Sequence, residues 1–362
     1  MKAGISVKPK KTSFPNELEM LMNSLRKVPI VEECDWVTDR DTGFMVSVKF
    51  ADSRMIFIEA IVLKQAYPAR IVKTVNDLNI RVCEPADQSD EYIYYIIMAP
   101  FISPEAAKQC EKLSVGYMDM SGNYRLHVHW LYMSEQGHPN QHIQVNGPKD
   151  IFNPKSKVSS IILRALMRDV SKQWKLSLLS EKLQCSIGQV FKVKNYLCEQ
   201  LWAEMTSEGL RILDTAAIMH AWSAAYSNKE TEDAVLDCYT VDSLPVFEKK
   251  AQDVRLKLGI NSYLTGIAGG VRYVPVVRYN KAHLIVPWKD VKDFMLAAGC
   301  DEVDSGSNVQ IHLVSSDELM YDARELNGYL VASPVQIYLD SMALKGRGEE
   351  VANAILKQEI NK

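Results

Sequence analysis

Residues 177–212, SLLSEKLQCSIGQVFKVKNYLCEQLWAEMTSEGLRI, constrain the fold of this chain more than any other stretch. The first part reads as a short helix carrying Leu178, Leu179 and Leu183, and Cys185 and Ser186 break its pattern. A second helix over 187–199 places Ile187, Val190, Val193 or Phe191, Tyr196 and Leu197 at helical spacing. Strand-like alternation over 201–206, a tight turn at Glu208-Gly209 and a return over 210–212 complete the series.

Helix, turn, helix and two-stranded hairpin is the order of a winged helix-turn-helix. In the second helix Ser186, Gln189, Lys192 and Asn195 recur every three residues, which predicts one polar face. All four are types that hydrogen-bond base edges or phosphates, as a helix in a DNA major groove requires. An ordinary amphipathic helix with a solvated outer face gives the same pattern. Local charge separates the two readings. Residues 152–212 hold ten Lys and Arg against five Asp and Glu, a net +5 in a chain whose total is −3. A basic island in an acidic protein is the electrostatic footprint of nucleic-acid binding. Lys155, Lys157, Lys194 and Arg211 join the four as candidate DNA contacts.

With 362 residues the chain has room for two or three domains, and 47% hydrophobic with 24% charged residues is a globular balance. No run approaches the ~18 apolar residues of a membrane span. The first fifteen residues are basic but lack an apolar segment, so they read as a loose tail rather than a signal peptide. Seven widely spaced Cys without a CxxC suggest neither a disulfide framework nor a zinc site, and suit a reducing cytoplasm.

Polar stretches at 137–155 and 227–232 divide the chain into modules at 14–136, 152–226 and 234–362, expected to fold independently. The first is an α/β domain: a helix over 16–27, strands at 36–38, 43–50 and 54–62, a helix over 67–79, a strand at 92–99, a helix opening at Ser103-Pro104-Glu105, and strands at 116–120 and 124–130. This is the order of a restriction-endonuclease-like fold. Such nucleases hold a metal with an acid on the second strand and a Glu-x-Lys on the third. Here the third strand reads Glu59-Ala60-Ile61 and its neighbour offers no well-placed Asp, so the domain is expected to be non-catalytic. His127 and His129 share a strand face but lack a third ligand, and the Asp119–Asn123 turn reads as backbone capping.

In the third module Thr265-Gly266-Ile267-Ala268 after a strand resembles the start of a nucleotidyltransferase fold. Strands are expected at 276–279 and 283–286. The second lacks the acidic pair that would hold Mg²⁺, so no metal is expected there. No nucleophile motif or phosphate-binding loop occurs, and no cofactor is expected. Ser333-Pro334 opens a helix, and Gly346-Arg347-Gly348 is expected to break the chain before a last helix over 349–358.

Four segments together resemble a known family: VGYMDMSGNYR at 115–125, SIGQVFKVKNYL at 186–197, YLTGIA at 263–268, and VASPVQIYLD at 331–340 followed by KGRGEE at 345–350. The chain is similar to the AbiEi-type antitoxins of type IV toxin–antitoxin, or abortive phage infection, systems, in the long form with an extra N-terminal domain. The resemblance implies a cytoplasmic transcriptional regulator that binds double-stranded DNA at its own operator. It also implies a nucleotidyltransferase-like toxin, counteracted without a stable complex. It carries no catalytic residues. Arg347, set on a turn by two glycines, and Gln336 are the candidates for antitoxin function. The alternatives are a nuclease-like enzyme targeted by a winged helix, and a plain regulator with no toxin partner.

Overall fold

The computed structural model describes residues 16–40, 43–78, 93–128, 131–142, 151–153, 156–227, 235–315, 317–344 and 346–361. The chain divides into two compact units, Met1–Gly147 and Pro148–Lys362.

The first unit runs α1 (Asn16–Arg26), β1 (Val31–Arg40), β2 (Gly43–Phe50), β3 (Met55–Val62), α2 (Pro68–Asp77), β4 (Ile93–Ala99), α3 (Pro104–Lys112), β5 (Gly116–Asp119), β6 (Tyr124–Val128) and β7 (Leu131–Glu135). The seven strands form one sheet in sequence order. β3, β4 and β5 run parallel, and the flanking pairs are antiparallel. Along β4, Ile96 and Met98 join the core that includes Leu18, Leu21 and Leu25 of α1. Ile97 and Ala99 point the other way, into the core of α2 and α3. A strand covered on both faces explains the nearly continuous apolar run of β4. β7 was not among the expected strands. α3 begins as its sequence dictates, with the Ser103 hydroxyl accepting from the Ala106 N–H and Pro104 in the first turn.

The second unit opens with α4 (Lys157–Arg168), α5 (Leu176–Lys182), α6 (Ile187–Glu199), the hairpin β8 (Ala203–Met205) and β9 (Leu210–Ile212), and α7 (Thr215–Ser227). It continues through β10 (Val235–Tyr239), α8 (Leu244–Leu258), β11 (Tyr263–Leu264), α9 (Gly266–Tyr273), β12 (Ala282–Pro287), α10 (Val291–Ala298), β13 (Asp301–Glu302), β14 (Val309–Val314), β15 (Arg324–Leu326), β16 (Tyr329–Val331), α11 (Pro334–Ala343) and α12 (Arg347–Ile355). Its large sheet has the order β13-β10-β14-β12-β11-β16-β15. Leu284 and Val286 of β12 face Phe247 of α8 and Phe294 of α10. Ile285 faces the opposite layer with Ile337 of α11 and Val351 of α12.

Four expectations change here. No strand forms over 276–279, because β11 and β14 already occupy both edges of β12. Part of the expected polar linker is core, with Ile151 and Phe152 buried. Gly348 does not break a helix. It lies in the first turn of α12, where a β-carbon would overlap the Ser341 carbonyl of α11. The interruption lies before it, at Gly346, whose φ of 76° favours glycine. The modules expected at 152–226 and 234–362 fall within one unit and share one apolar core, built from α4, α6, α7, α11 and α12. The helix α4 is accordingly buried nearly all round rather than along one stripe.

Candidate nucleic-acid interface

The turn between α5 and α6 is built from local bonds. Gln184 takes a left-handed φ of 50°, and the Ser180 hydroxyl donates to the Cys185 carbonyl at 2.6 Å. Ser186 then caps α6. Its hydroxyl accepts from the Gln189 N–H at 3.4 Å, and the Gln189 side-chain oxygen accepts from the Ser186 N–H at 3.2 Å. This reciprocal capping box fixes where α6 starts. Val190, Val193 and Leu197 are its buried stripe. Tyr196 packs edge-on to Phe152, whose ring stacks at 6.2 Å on Trp222, which ties the helix pair to α7.

The hairpin is closed by the Thr206 hydroxyl oxygen, which accepts from the N–H groups of Glu208 and Gly209 at 3.1 and 3.2 Å. Gly209 has a φ of 143°, and a β-carbon there would stand 2.5 Å from the Trp174 carbonyl. Trp174 and Leu210 exchange both backbone bonds, adding a single-residue bridge on the other side of β9. Glycine is therefore dictated twice at this turn, by φ and by space.

The candidate DNA contacts are placed as follows. Gln189 and Asn195 are exposed, and Lys192 and Lys194 are half-buried. Lys194 Nζ donates to the Asn195 side-chain oxygen at 2.8 Å. Ser186 is exposed but serves as the helix cap. Arg211 pairs across the hairpin with Glu204, its Nε 2.8 Å from the carboxylate. Lys157 is the exposed first residue of α4. Lys155 lies outside the described residues, as does His129.

The row Ser186, Gln189, Lys192, Asn195 does not make one face. Three residues fall about 60° short of a full helical turn at each step, so the row winds from the flank of the buried stripe to the outside. The residues opposite Val190, Val193 and Leu197 are Gly188, Lys192, Asn195 and Glu199, with Phe191 at the edge of that face. Ile187 and Phe191, expected on the apolar face, are 43% and 46% exposed, and Leu178 of α5 is 54% exposed. A wheel centred on Val190, Val193 and Leu197 carries this signal in the sequence itself.

Not every cation of the basic island is available to a ligand. Arg164 of α4 is 2% exposed. Its guanidinium donates to the Ser160 hydroxyl at 3.2 Å and the Gln336 side-chain oxygen at 2.6 Å, and lies over the Trp222 ring. Arg168 pairs with Asp322 at 3.0 Å.

Gln336, a candidate for antitoxin function, is 1% exposed and belongs to this same interior network. Its amide nitrogen donates to Asp340 at 2.7 Å and approaches the Tyr226 hydroxyl at 3.1 Å. Tyr226 in turn donates to Asp340 at 2.7 Å, and the Thr265 hydroxyl bonds the other Asp340 oxygen. Burial, and after it the Asp340 charge, raise the Tyr226 pKa well above the usual phenol value, so it stays a donor. Arg347 is exposed at the start of α12 and donates to the Arg278 carbonyl at 3.2 Å.

At the Thr265-Gly266 turn, Gly266 has a φ of 52° and packs against the buried His283 of β12. Among the described residues no group of three or more His, Cys, Asp and Glu could hold a metal ion, and no helix is long and apolar enough to cross a membrane. In the first unit, Glu59 is buried in the middle of β3. Asp119 accepts from the N–H groups of Ile102, Ser121 and Asn123 and from the Asn123 amide, all within 3.0 Å, as a backbone-capping carboxylate does.

No curated protein matches the chain. A solved structure described as "Structure of EndoMS in apo form" matches at 12% identity over 30% of this chain and 48% of its own, about half its length, with a TM-score of 0.16. Residues 211–361, from β9 through α12, match the family described as "Transcriptional regulator, AbiEi antitoxin, Type IV TA system". This C-terminal segment, less than half of the chain, is similar to the AbiEi antitoxin family of type IV toxin–antitoxin systems.

Proposed function

We propose that the chain is a DNA-binding autorepressor of its own operon and the antitoxin to a nucleotidyltransferase-like toxin, which it counteracts without forming a stable complex. On this reading α4 to β9 form a winged helix-turn-helix with α6 as the recognition helix. The C-terminal sheet is an inactive nucleotidyltransferase-like scaffold, and the first unit is an endonuclease-like domain without chemistry. The observation that carries the reading is the exposed outer face of α6, with Lys192 and Asn195 beside the Lys-bearing α5, in a chain whose C-terminal segment is similar to an antitoxin family of transcriptional regulators.

The test is fluorescence anisotropy with the duplex immediately upstream of the chain's own gene, against a random duplex, at two salt concentrations. Asn195→Ala should lower discrimination between the two by about 1–3 kcal/mol. Lys192→Ala should weaken both and flatten the salt dependence. Equal affinity of the wild type for the two duplexes would remove the autorepressor reading. For the antitoxin role, growth rescue on co-expression with the adjacent gene should fall in Arg347→Ala, while its melt stays within about 0.5 kcal/mol of wild type. Metal-dependent nicking of plasmid that disappears in Glu59→Ala would overturn the non-enzymatic part.

A further inference from the structure

The outer face of α6 is not a uniformly polar surface. Ile187 and Phe191 stand one helical turn apart, each more than two-fifths exposed, near the start of the helix. Gly188 lies between them. Nothing lies within 4 Å of where its β-carbon would be, and its φ is not in the left-handed region. Neither the chain's own packing nor its backbone therefore calls for glycine, in a helix where glycine costs about 1 kcal/mol relative to alanine. A bare helix backbone beside two partly exposed apolar side chains suits the close approach of something outside the protein.

Charge identifies what approaches. Lys194 Nζ stands 5.7 Å from the centre of the Phe191 ring and is bonded to Asn195, and Lys192 sits beside Phe191 on the outer face. The neighbouring α5 segment adds the exposed Lys172, Lys175 and Lys182. An apolar patch set among cations matches a surface that is anionic overall and carries isolated methyl groups. The DNA major groove is such a surface: phosphates line its edges, and thymine alone of the four bases places a methyl group on its floor. The first turns of a recognition helix are the part that reaches base edges.

We infer that Ile187 and Phe191 read thymine 5-methyl groups in the major groove, and that Gly188 lets α6 approach closely enough for them to do so. This rests on the DNA-binding reading above and gives that site its base preference. Lys192 and Asn195 then supply the phosphate and amide contacts that hold the helix in register.

The test uses the full chain and the duplex upstream of its own gene, made once with thymidine and once with deoxyuridine, which lacks only the methyl. Burying a methyl changes affinity roughly four-fold, so two contacts predict about a fifteen-fold weaker wild-type affinity for the deoxyuridine duplex. Ile187→Ala/Phe191→Ala should bind both duplexes equally, with its folding checked by thermal melt because each side chain is a little more than half buried. Gly188→Val should lose affinity for the thymidine duplex more than for the deoxyuridine one. Equal wild-type affinity for the two duplexes, with preference over random DNA retained, overturns the inference and leaves the DNA-binding reading intact. Absence of any preference over random DNA overturns that reading first. Undiminished methyl discrimination in the double variant, or its conversion of a dimer to a monomer by sedimentation with discrimination unchanged, assigns the patch elsewhere and also overturns the inference.

Discussion

Replacing Gln336 with leucine should unfold the second unit far more readily than its conservative size suggests. Leucine fills nearly the same volume but removes three hydrogen bonds at once: from Arg164 at 2.6 Å, to Asp340 at 2.7 Å and with Tyr226 at 3.1 Å. Two of these involve an ionised partner, and such bonds contribute about 1.5–3 kcal/mol each. The guanidinium they leave behind is 2% exposed, so water cannot replace the lost acceptor. Added leucine burial offsets about 1–2 kcal/mol. The net cost is about 3–5 kcal/mol, the range for breaking a buried charged pair. For a unit of this size that lowers Tm by roughly 6–15 °C. Urea unfolding of the full chain, with hydrogen exchange followed in peptides from α4 and α11, measures it. Arg164→Met should cost a comparable amount. The double variant should cost less than the two singles together, because a pair replaced by apolar groups leaves no orphan. A Gln336→Leu cost below about 1 kcal/mol, or strict additivity in the double variant, would refute the reasoning.

Burial, and after it the nearby His312, hold the His283 pKa down at about 4, against 6.5 for the free side chain. The unfolded chain therefore binds more protons between those values. Stability should rise with pH through that window and fall by on the order of 3 kcal/mol as pH drops from 6.5 to 4, a slope that His283→Gln should flatten in pH-dependent melts. Gly348→Ala should destabilise the α11–α12 packing by about 1–3 kcal/mol despite the better helix propensity of alanine, and an unchanged melt would disprove the close approach. Glu204→Gln should release Arg211 on the hairpin, tightening binding to random DNA and steepening its salt dependence by about one unit of slope; unchanged slopes would place Arg211 away from the duplex.

What could be read from the chain alone was local. Ser103-Pro104 and Ser333-Pro334 start α3 and α11 because a cap bonds only to its own first turn. The Thr206–Gly209 hairpin was legible for the same reason, whereas Ser186, expected among the DNA contacts, is the cap of α6. What was not legible depended on distant partners. The inward turn of Arg164 is set by Gln336, 172 residues away. The all-round burial of α4, which made a basic residue of the island internal, follows from that packing. β14 is an inner strand of its sheet, and Val309, Ile311 and Leu313 alternate with Gln310 and His312 as a strand should, yet its place comes only from pairing with β10 and β12. On α6 a three-residue period does not make one face, and Ile187 and Phe191 are apolar yet partly exposed.

The bonds from Arg164 and Tyr226 into α11 also bear on how such a chain can be recombined. A hybrid gene joined after α7 would pair a buried guanidinium with whatever residue its new partner carries at the position of Gln336, and nothing near the junction would reveal the mismatch. The parts that this chain can exchange with a relative are therefore its two compact units, Met1–Gly147 and Pro148–Lys362. Helices α4 to α7 and the segment that follows them should consequently be inherited together.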